Sequence, residues 1–139
     1  MQPLDVIRDF IARINAGDVA GLVAFLSPDH RFTDSEGFVI SGRDALRSAW
    51  LAYFRMFPDY RIEPETWLQD GETVVVLGRA AGTYAPTGRL EAANSWRIPA
   101  AWRAVVRDAK VLAWQVYADV GPVRRIVERA GADPQPRST

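Results

Sequence analysis

FTDSEGFVISGRDALRSAWLAYFRMFPDY, residues 32–60, is the stretch that decides how the rest of this chain is read. It opens with a short apolar strand that leads to a carboxylate, Asp34. A Gly-Arg-Asp turn follows, and Ser41 with Asp44 three residues on resembles a capping box with Asp in place of Glu or Gln. Leu46, Ala49, Trp50, Tyr53, Phe54 and Phe57 then recur at helical spacing, which predicts a helix with a wide apolar stripe that Pro58 stops. Strand, acid, helix and stop in this order predict a pocket lidded by a helix, with one acid at its mouth.

Upstream, Ile7, Phe10, Ile11 and Ile14 fall on one helical face, so a helix is expected from Pro3 to about Asn15, ended by Gly17. Asp18 is a candidate cap for a second, shorter helix that buries Leu22, Val23, Phe25 and Leu26. Ser27-Pro28-Asp29 reads as a turn. After it His30, Phe32 and Asp34 share one strand face, opposite Arg31 and Thr33.

Downstream the pattern is mostly strand. Residues 60–68 and 73–84 are separated by a Gln-Asp-Gly turn, residues 89–107 follow a Pro-Thr-Gly turn, and residues 111–119 follow Asp108-Ala109-Lys110. Pro99 cannot donate to a ladder, so a bulge or bend is expected there. Val123, Ile126 and Val127 predict a short last helix. One domain is expected over residues 1–130, with a disordered tail over residues 131–139, where GADPQPRST is polar and carries two prolines. Helices followed by a run of strands indicate an α+β fold, a curved antiparallel sheet wrapped around three helices. The cone so formed closes at one end and leaves a small-molecule pocket at the other.

Composition limits the function classes. The chain has 139 residues, 48% apolar and 11% aromatic, with five Trp, enough to line a cavity as well as fill a core. Lys plus Arg and Asp plus Glu number 17 each, so no basic excess favours nucleic acid or an acidic membrane. No apolar run is long enough to span a bilayer. Cysteine is absent, which removes disulfides and thiol chemistry and fits a cytoplasmic protein. The first residues, MQPLDVIRDF, read as a helix start and not as a signal segment. His30 is the sole histidine, and no acidic cluster has ligand spacing, so no metal site and no cofactor are expected.

The order of elements, together with FTDSEG, SGRDAL, FPDYRIE, the DAKV turn and WQVYAD, resembles the nuclear transport factor two-like superfamily. Within it the chain is most similar to SnoaL-like proteins, relatives of polyketide cyclases and ketosteroid isomerase. The resemblance runs from about Val6 to Arg129. It implies the cone-shaped, cystatin-like roll, a homodimer through the sheet face, and a small, largely apolar organic ligand. By the isomerase comparison Asp34 matches the carboxylate that shuttles a proton. Phe10 stands where that enzyme has its oxyanion-stabilising Tyr, Ala101 where it has its second oxyanion donor, and Trp50 where it has a supporting Tyr. Losing one such donor typically costs about a hundredfold or more in rate, so steroid isomerisation is disfavoured. A mechanism like that of limonene epoxide hydrolase is disfavoured too, because Val116 and Ala81 stand where its two acids belong, beside Arg79.

Asp34 is therefore the candidate catalytic acid or base; the competing reading is a surface Asp in a turn. Asp119 is a second candidate acid, weighed against a capping role before Gly121-Pro122. Phe10, Phe32, Trp50, Tyr53, Phe54, Ala101, Trp114 and Val116 are candidate substrate contacts, each open to a core reading instead. Alternation puts Trp114, Val116 and Ala118 inward and Gln115, Tyr117 and Asp119 outward. His30, expected to be exposed at the strand start, and Arg97 and Arg103, expected on the pocket face with Ala101, are candidate polar partners. Two functions fit: a cofactor-independent isomerase, cyclase, dehydratase or hydrolase using Asp34, or a non-catalytic binding or dimerisation module with the same cavity.

Overall fold

A computed structural model describes residues 1–131. Its elements are α1 (Pro3–Asn15), α2 (Val19–Ala24), β1 (Leu26–Thr33), β2 (Val39–Ser41), α3 (Arg43–Met56), β3 (Arg61–Asp70), β4 (Thr73–Thr83), a 3₁₀ turn (Ala92–Asn94), β5 (Ser95–Arg107), β6 (Lys110–Tyr117) and α4 (Gly121–Gly131). The class is α+β. The strands form one six-stranded sheet in the order β2-β1-β6-β5-β4-β3, and of its pairings only β1 with β6 is parallel. Gly131 closes α4, and the rest of the tail lies outside the described residues.

Val6, Ile7, Phe10, Ile11 and Ile14 give α1 its buried face, which packs on the concave side of the sheet. Asp18 caps α2 by accepting from the Gly21 amide at 2.9 Å. Asn15 ties α1 to β3 by a reciprocal pair: its Nδ2 donates to the Ile62 carbonyl at 2.9 Å, and its Oδ1 accepts from the Ile62 amide at 2.8 Å.

The Gly-Arg-Asp turn works differently from a capping box. No side chain caps α3; its N-cap is Gly42, at φ +92°, a conformation that favours glycine. The Gly42 amide donates to the His30 carbonyl at 2.9 Å, and Arg43 Nε donates to the Leu26 carbonyl at 2.9 Å, fixing the first residue and the middle of β1 against the start of the helix. At the other end of α3, Asp59 accepts from the amide of Thr83 and from its hydroxyl, each at 2.7 Å. The Phe-Pro-Asp stop thus fastens α3 to the end of β4.

Two local expectations are corrected. Ser27, Pro28 and Asp29 do not leave the strand; they form an irregularity inside β1, where the pairing with β6 shifts between Leu26 and Arg31. Pro99 makes no bulge. It pairs with Arg79 in an unbroken β4–β5 ladder, and β6 pairs no further along β5 than Ala101, so nothing on that side needs its missing N–H. The bulge lies instead between Val105 and Val106 in the β5–β6 pairing, beside a two-residue turn with Asp108 and Ala109 both at positive φ.

That bulge inverts the expected face of β5. An unbulged hairpin, extended from Arg107↔Lys110, sets Arg103 opposite Trp114 and Ala101 opposite Val116. The extra residue pairs Ala104 with Trp114 and Trp102 with Val116 instead. Trp96, Ile98, Ala100, Trp102, Ala104 and Val106 therefore point inward and are buried, and Arg97, Ala101 and Arg103 point outward.

Candidate functional site

Between the concave face of the sheet and α3 lies a cavity of about 350 Å³. Six aromatic residues line it: Phe32 from β1, Trp50 and Tyr53 from α3, Tyr60 from the turn after α3, Trp96 from β5 and Trp114 from β6. Ile40, Leu46, Ala49, Ala80, Ile98, Val116, Ala118, Val120 and Val123 complete the apolar wall, and the other lining residues are Asp34 and Ser35. Lys, Arg and His are absent from this lining. Trp50 is the hub: its ring lies 5.6 Å from that of Phe54, 6.1 Å from Tyr53, and 6.4 Å from both Phe32 and Tyr60.

Asp34 is half-buried at the end of β1. Its Oδ1 accepts from the amides of Glu36 at 2.9 Å and Phe38 at 3.0 Å, and its own amide donates to the Phe38 carbonyl at 2.9 Å. The carboxylate therefore organises the β1–β2 turn with one oxygen. Its Oδ2 makes no hydrogen bond among the described residues, which leaves that oxygen for a guest. Next to this turn Glu36 pairs with Arg124 of α4. Further along α4, Arg129 donates to the Ala93 carbonyl at 2.7 Å. These contacts seat α4 so that Val123, just beyond Val120, closes part of the cavity.

Towards the opposite edge of the sheet from Asp34, Tyr60 precedes β3, the edge strand at the other end from β2. Tyr60 is 7% exposed, and burial pushes its phenol well above its ordinary acidity range; the indole N–H of Trp102 beside it opposes part of that shift. Tyr53 is pushed up in the same direction, by burial first and by Tyr60 second. Both phenols stay protonated across the physiological range.

Of the expected contacts, Phe32, Asp34, Trp50, Tyr53, Trp114 and Val116 line the cavity. The others do not. Phe10 is fully buried in the core, its ring 5.1 Å from Trp114 and 6.2 Å from Phe25. Phe54 backs Trp50 from behind. Ala101 faces outward with Arg97 and Arg103; Arg97 Nε donates to Glu63 at 2.7 Å and Arg103 to Gln115 at 3.2 Å. Asp119 is exposed and accepts from the Gly121 amide at 2.9 Å at the start of α4, outside the cavity. His30 is not exposed. It is 1% accessible, and its Nδ1 donates to the Val111 carbonyl at 2.7 Å, which locks it between β1 and β6. Burial lowers its pKa, against weaker upward pulls from that hydrogen bond and from Asp29.

Sequence reading missed Tyr60, Trp96 and Ile98. The FPDY stop pointed at Tyr60 only as a strand start, and the two β5 residues went with the inverted face. Among the described residues no group of His, Cys, Asp and Glu is arranged to hold a metal ion.

A family model described as a SnoaL-like domain matches residues 7–114. No curated protein matches the sequence. Similar solved structures include a putative polyketide cyclase from Xanthomonas campestris pv. campestris, 18% identical, TM-score 0.77, covering 89% of this chain and 96% of that one. An NTF2-like protein of unknown function from Burkholderia pseudomallei is 20% identical, TM-score 0.76, covering 90% and 96%. A hypothetical protein with a ketosteroid isomerase-like fold from Catenulispora acidiphila, in complex with trimethylamine, is 16% identical, TM-score 0.76, covering 98% and 100%. At these identities the likeness is one of fold.

Proposed function

The chain belongs to the SnoaL-like domain family, and from that premise we propose that its cavity binds a small, largely apolar, uncharged organic molecule on which Asp34 moves a proton. The observation that carries this reading is the lining itself. Six aromatic side chains surround the space, no cation is there to neutralise a carboxylate or phosphate, and Asp34 supplies the one carboxylate. With Oδ1 held by two amides, Oδ2 is the atom that takes a proton from bound substrate and returns it at another position. Isomerisation, cyclisation and dehydration can run on that step, and in a hydrolysis the same oxygen takes its proton from the attacking water and the leaving group receives it. Phe10 in the core and Ala101 on the outer face leave the steroid isomerase arrangement without its oxyanion donors, so that mechanism forms no part of the proposal.

A homodimer through the sheet belongs to the same reading. Leu77, Ala101 and Tyr117 are register partners across β4, β5 and β6 and form an apolar row on the outer face. Leu77 is 39% exposed and Tyr117 49%. A cytoplasmic location is proposed with it, since a chain without cysteine makes no use of an oxidising compartment.

A second reading has its own observation. The two amide bonds to Oδ1 account for Asp34 as a turn residue, which favours a binding module without turnover. A thermal-shift ligand screen followed by one variant separates the readings. Asp34→Asn keeps an acceptor for both amides but removes the base; it should keep the melting temperature and lose about a hundredfold or more in turnover of any converted hit. Unchanged turnover in Asp34→Asn contradicts the proton-transfer role. Ligand binding without conversion by the unaltered protein favours the binding module.

A further inference from the structure

Two segments meet at the rim of the cavity, and one ion pair joins them. The β1–β2 turn contributes Asp34 and Ser35 to the lining, and the start of α4 with the residue before it contributes Val123 and Val120. The next residue of each segment, Glu36 and Arg124, forms the pair. Neither of the two lines the cavity, and both side chains are half exposed. Among the described residues neither has another ion-pair partner. Water screens a pair of this exposure, so it shifts an equilibrium by about 2- to 5-fold and no more.

For α4 that is enough to matter. α1, α2 and α3 each bury residues fully, whereas α4 buries none. Val123, Ile126 and Val127 are only partly covered by the core. Polar side chains tie the helix to the body at two places. Near its end Arg129 donates to the Ala93 carbonyl at 2.7 Å and to Asn94 Oδ1 at 3.2 Å; near its start Arg124 donates to Glu36. An element with so little burial opens locally at less cost than the rest of the molecule. Release of Arg124 loosens the turn that bears Val123, while Arg129 still holds the far end.

The same pair reaches the candidate base. Glu36 holds α4 through its carboxylate, and through its amide it donates to Asp34 Oδ1 at 2.9 Å. The Gly37 amide closes the turn on the Asp34 carbonyl at 3.0 Å, so Glu36 has Asp34 bonds on both sides of it in the chain. We infer that Glu36 and Arg124 are positioning residues: they latch α4 over the cavity and hold the Asp34 turn in its closed arrangement, and a guest enters and leaves when the pair releases. This rests on the proposed use of the cavity and adds to it the group that controls closure.

Stopped-flow measurement with 2-acetylnaphthalene, followed by the fluorescence of the cavity tryptophans in the full chain, tests the latch. Glu36→Gln and Arg124→Gln each remove one charge of the pair. Each should raise the dissociation rate of the probe by about 2- to 5-fold. Dissociation from the unaltered protein should quicken as NaCl rises from about 0.05 M to about 0.5 M, and dissociation from either variant should not. Amide hydrogen exchange gives a reading that loss of guest contacts does not move: the Glu36 and Phe38 amides, which bond Asp34, should exchange faster in Arg124→Gln. The double variant with the charges exchanged, Glu36→Arg with Arg124→Glu, should recover slow dissociation. Unmoved rates in both single variants, unmoved exchange at Glu36 and Phe38, or no recovery in the exchanged pair overturns the inference and leaves the cavity reading standing. If the probe does not bind the unaltered protein, the cavity reading falls, and the inference with it.

Discussion

Moving from about pH 7.5 to about pH 5.5 should destabilise this protein through one side chain, His30. It is the sole histidine, and burial holds its pKa below the ordinary 6.5. The sign follows from linkage. A folded state that resists protonation binds fewer protons than the unfolded chain once the pH falls below about 6.5, so stability declines with falling pH. The decline continues until the pH reaches the lowered folded value. Its slope is limited to about 1.4 kcal/mol per pH unit for one proton, and the loss by about pH 5.5 is at most about 1.4 kcal/mol. For a domain of this size that is a melting-temperature drop of about 3–5 °C. Protonation also threatens the packing between β1 and β6, since the imidazolium would bring a second N–H into the interior, and among the described residues the ring bonds only to the Val111 carbonyl. Differential scanning calorimetry across this pH range, on the unaltered chain and on His30→Gln, isolates the effect. The unaltered protein should lose stability over the range, and His30→Gln, weaker at the start, should stay nearly flat. A flat profile in the unaltered protein, or the same decline in the variant, would refute the reasoning.

Two further substitutions probe what holds the cavity walls in register. Asn15→Ala removes both bonds between α1 and Ile62, and urea unfolding should show a loss of about 1–2 kcal/mol. Gly78→Ala would set a Cβ 2.1 Å from the Glu63 carbonyl oxygen at the β3 bulge, where backbone must move; a loss of about 2–4 kcal/mol in the same assay is expected. At the site, Asp34→Ala should lower the melting temperature where Asp34→Asn does not, because only alanine leaves the Glu36 and Phe38 amides without an acceptor.

Much of this architecture can be read from residue spacing. The α1 and α3 stripes are long and periodic, and their burial follows the pattern, down to Trp50 facing the sheet. The alternation of β6 places Trp114 and Val116 inward, as it does in the structure. The face of β5 was not legible, for a definite reason. Its side chains depend on one bulge in a neighbouring pairing, and a single extra residue exchanges the two faces of the hairpin partner. Arg97, Ala101 and Arg103 left the expected pocket together, and Trp96, Ile98 and Trp102 took the inward positions. His30 was misplaced because a strand start ordinarily meets solvent; here the parallel pairing of β1 with β6 covers it, and a parallel contact between residues about 80 apart leaves no local mark. Tyr60 was hidden by its role as the residue after a helix stop. Its partners Trp96 and Trp102 lie in a strand whose face could not be assigned from spacing.

The account stands on the aromatic cavity being the binding site, and a substitution that fills it tests this most directly. Val116→Trp projects an indole into a space of about 350 Å³ from the last paired residues of β6. Titration with 2-acetylnaphthalene should show binding to the unaltered protein and at least about a tenfold loss in the variant, whose far-ultraviolet circular dichroism stays unchanged. Undiminished binding to a folded Val116→Trp would place the ligand elsewhere and contradict the account.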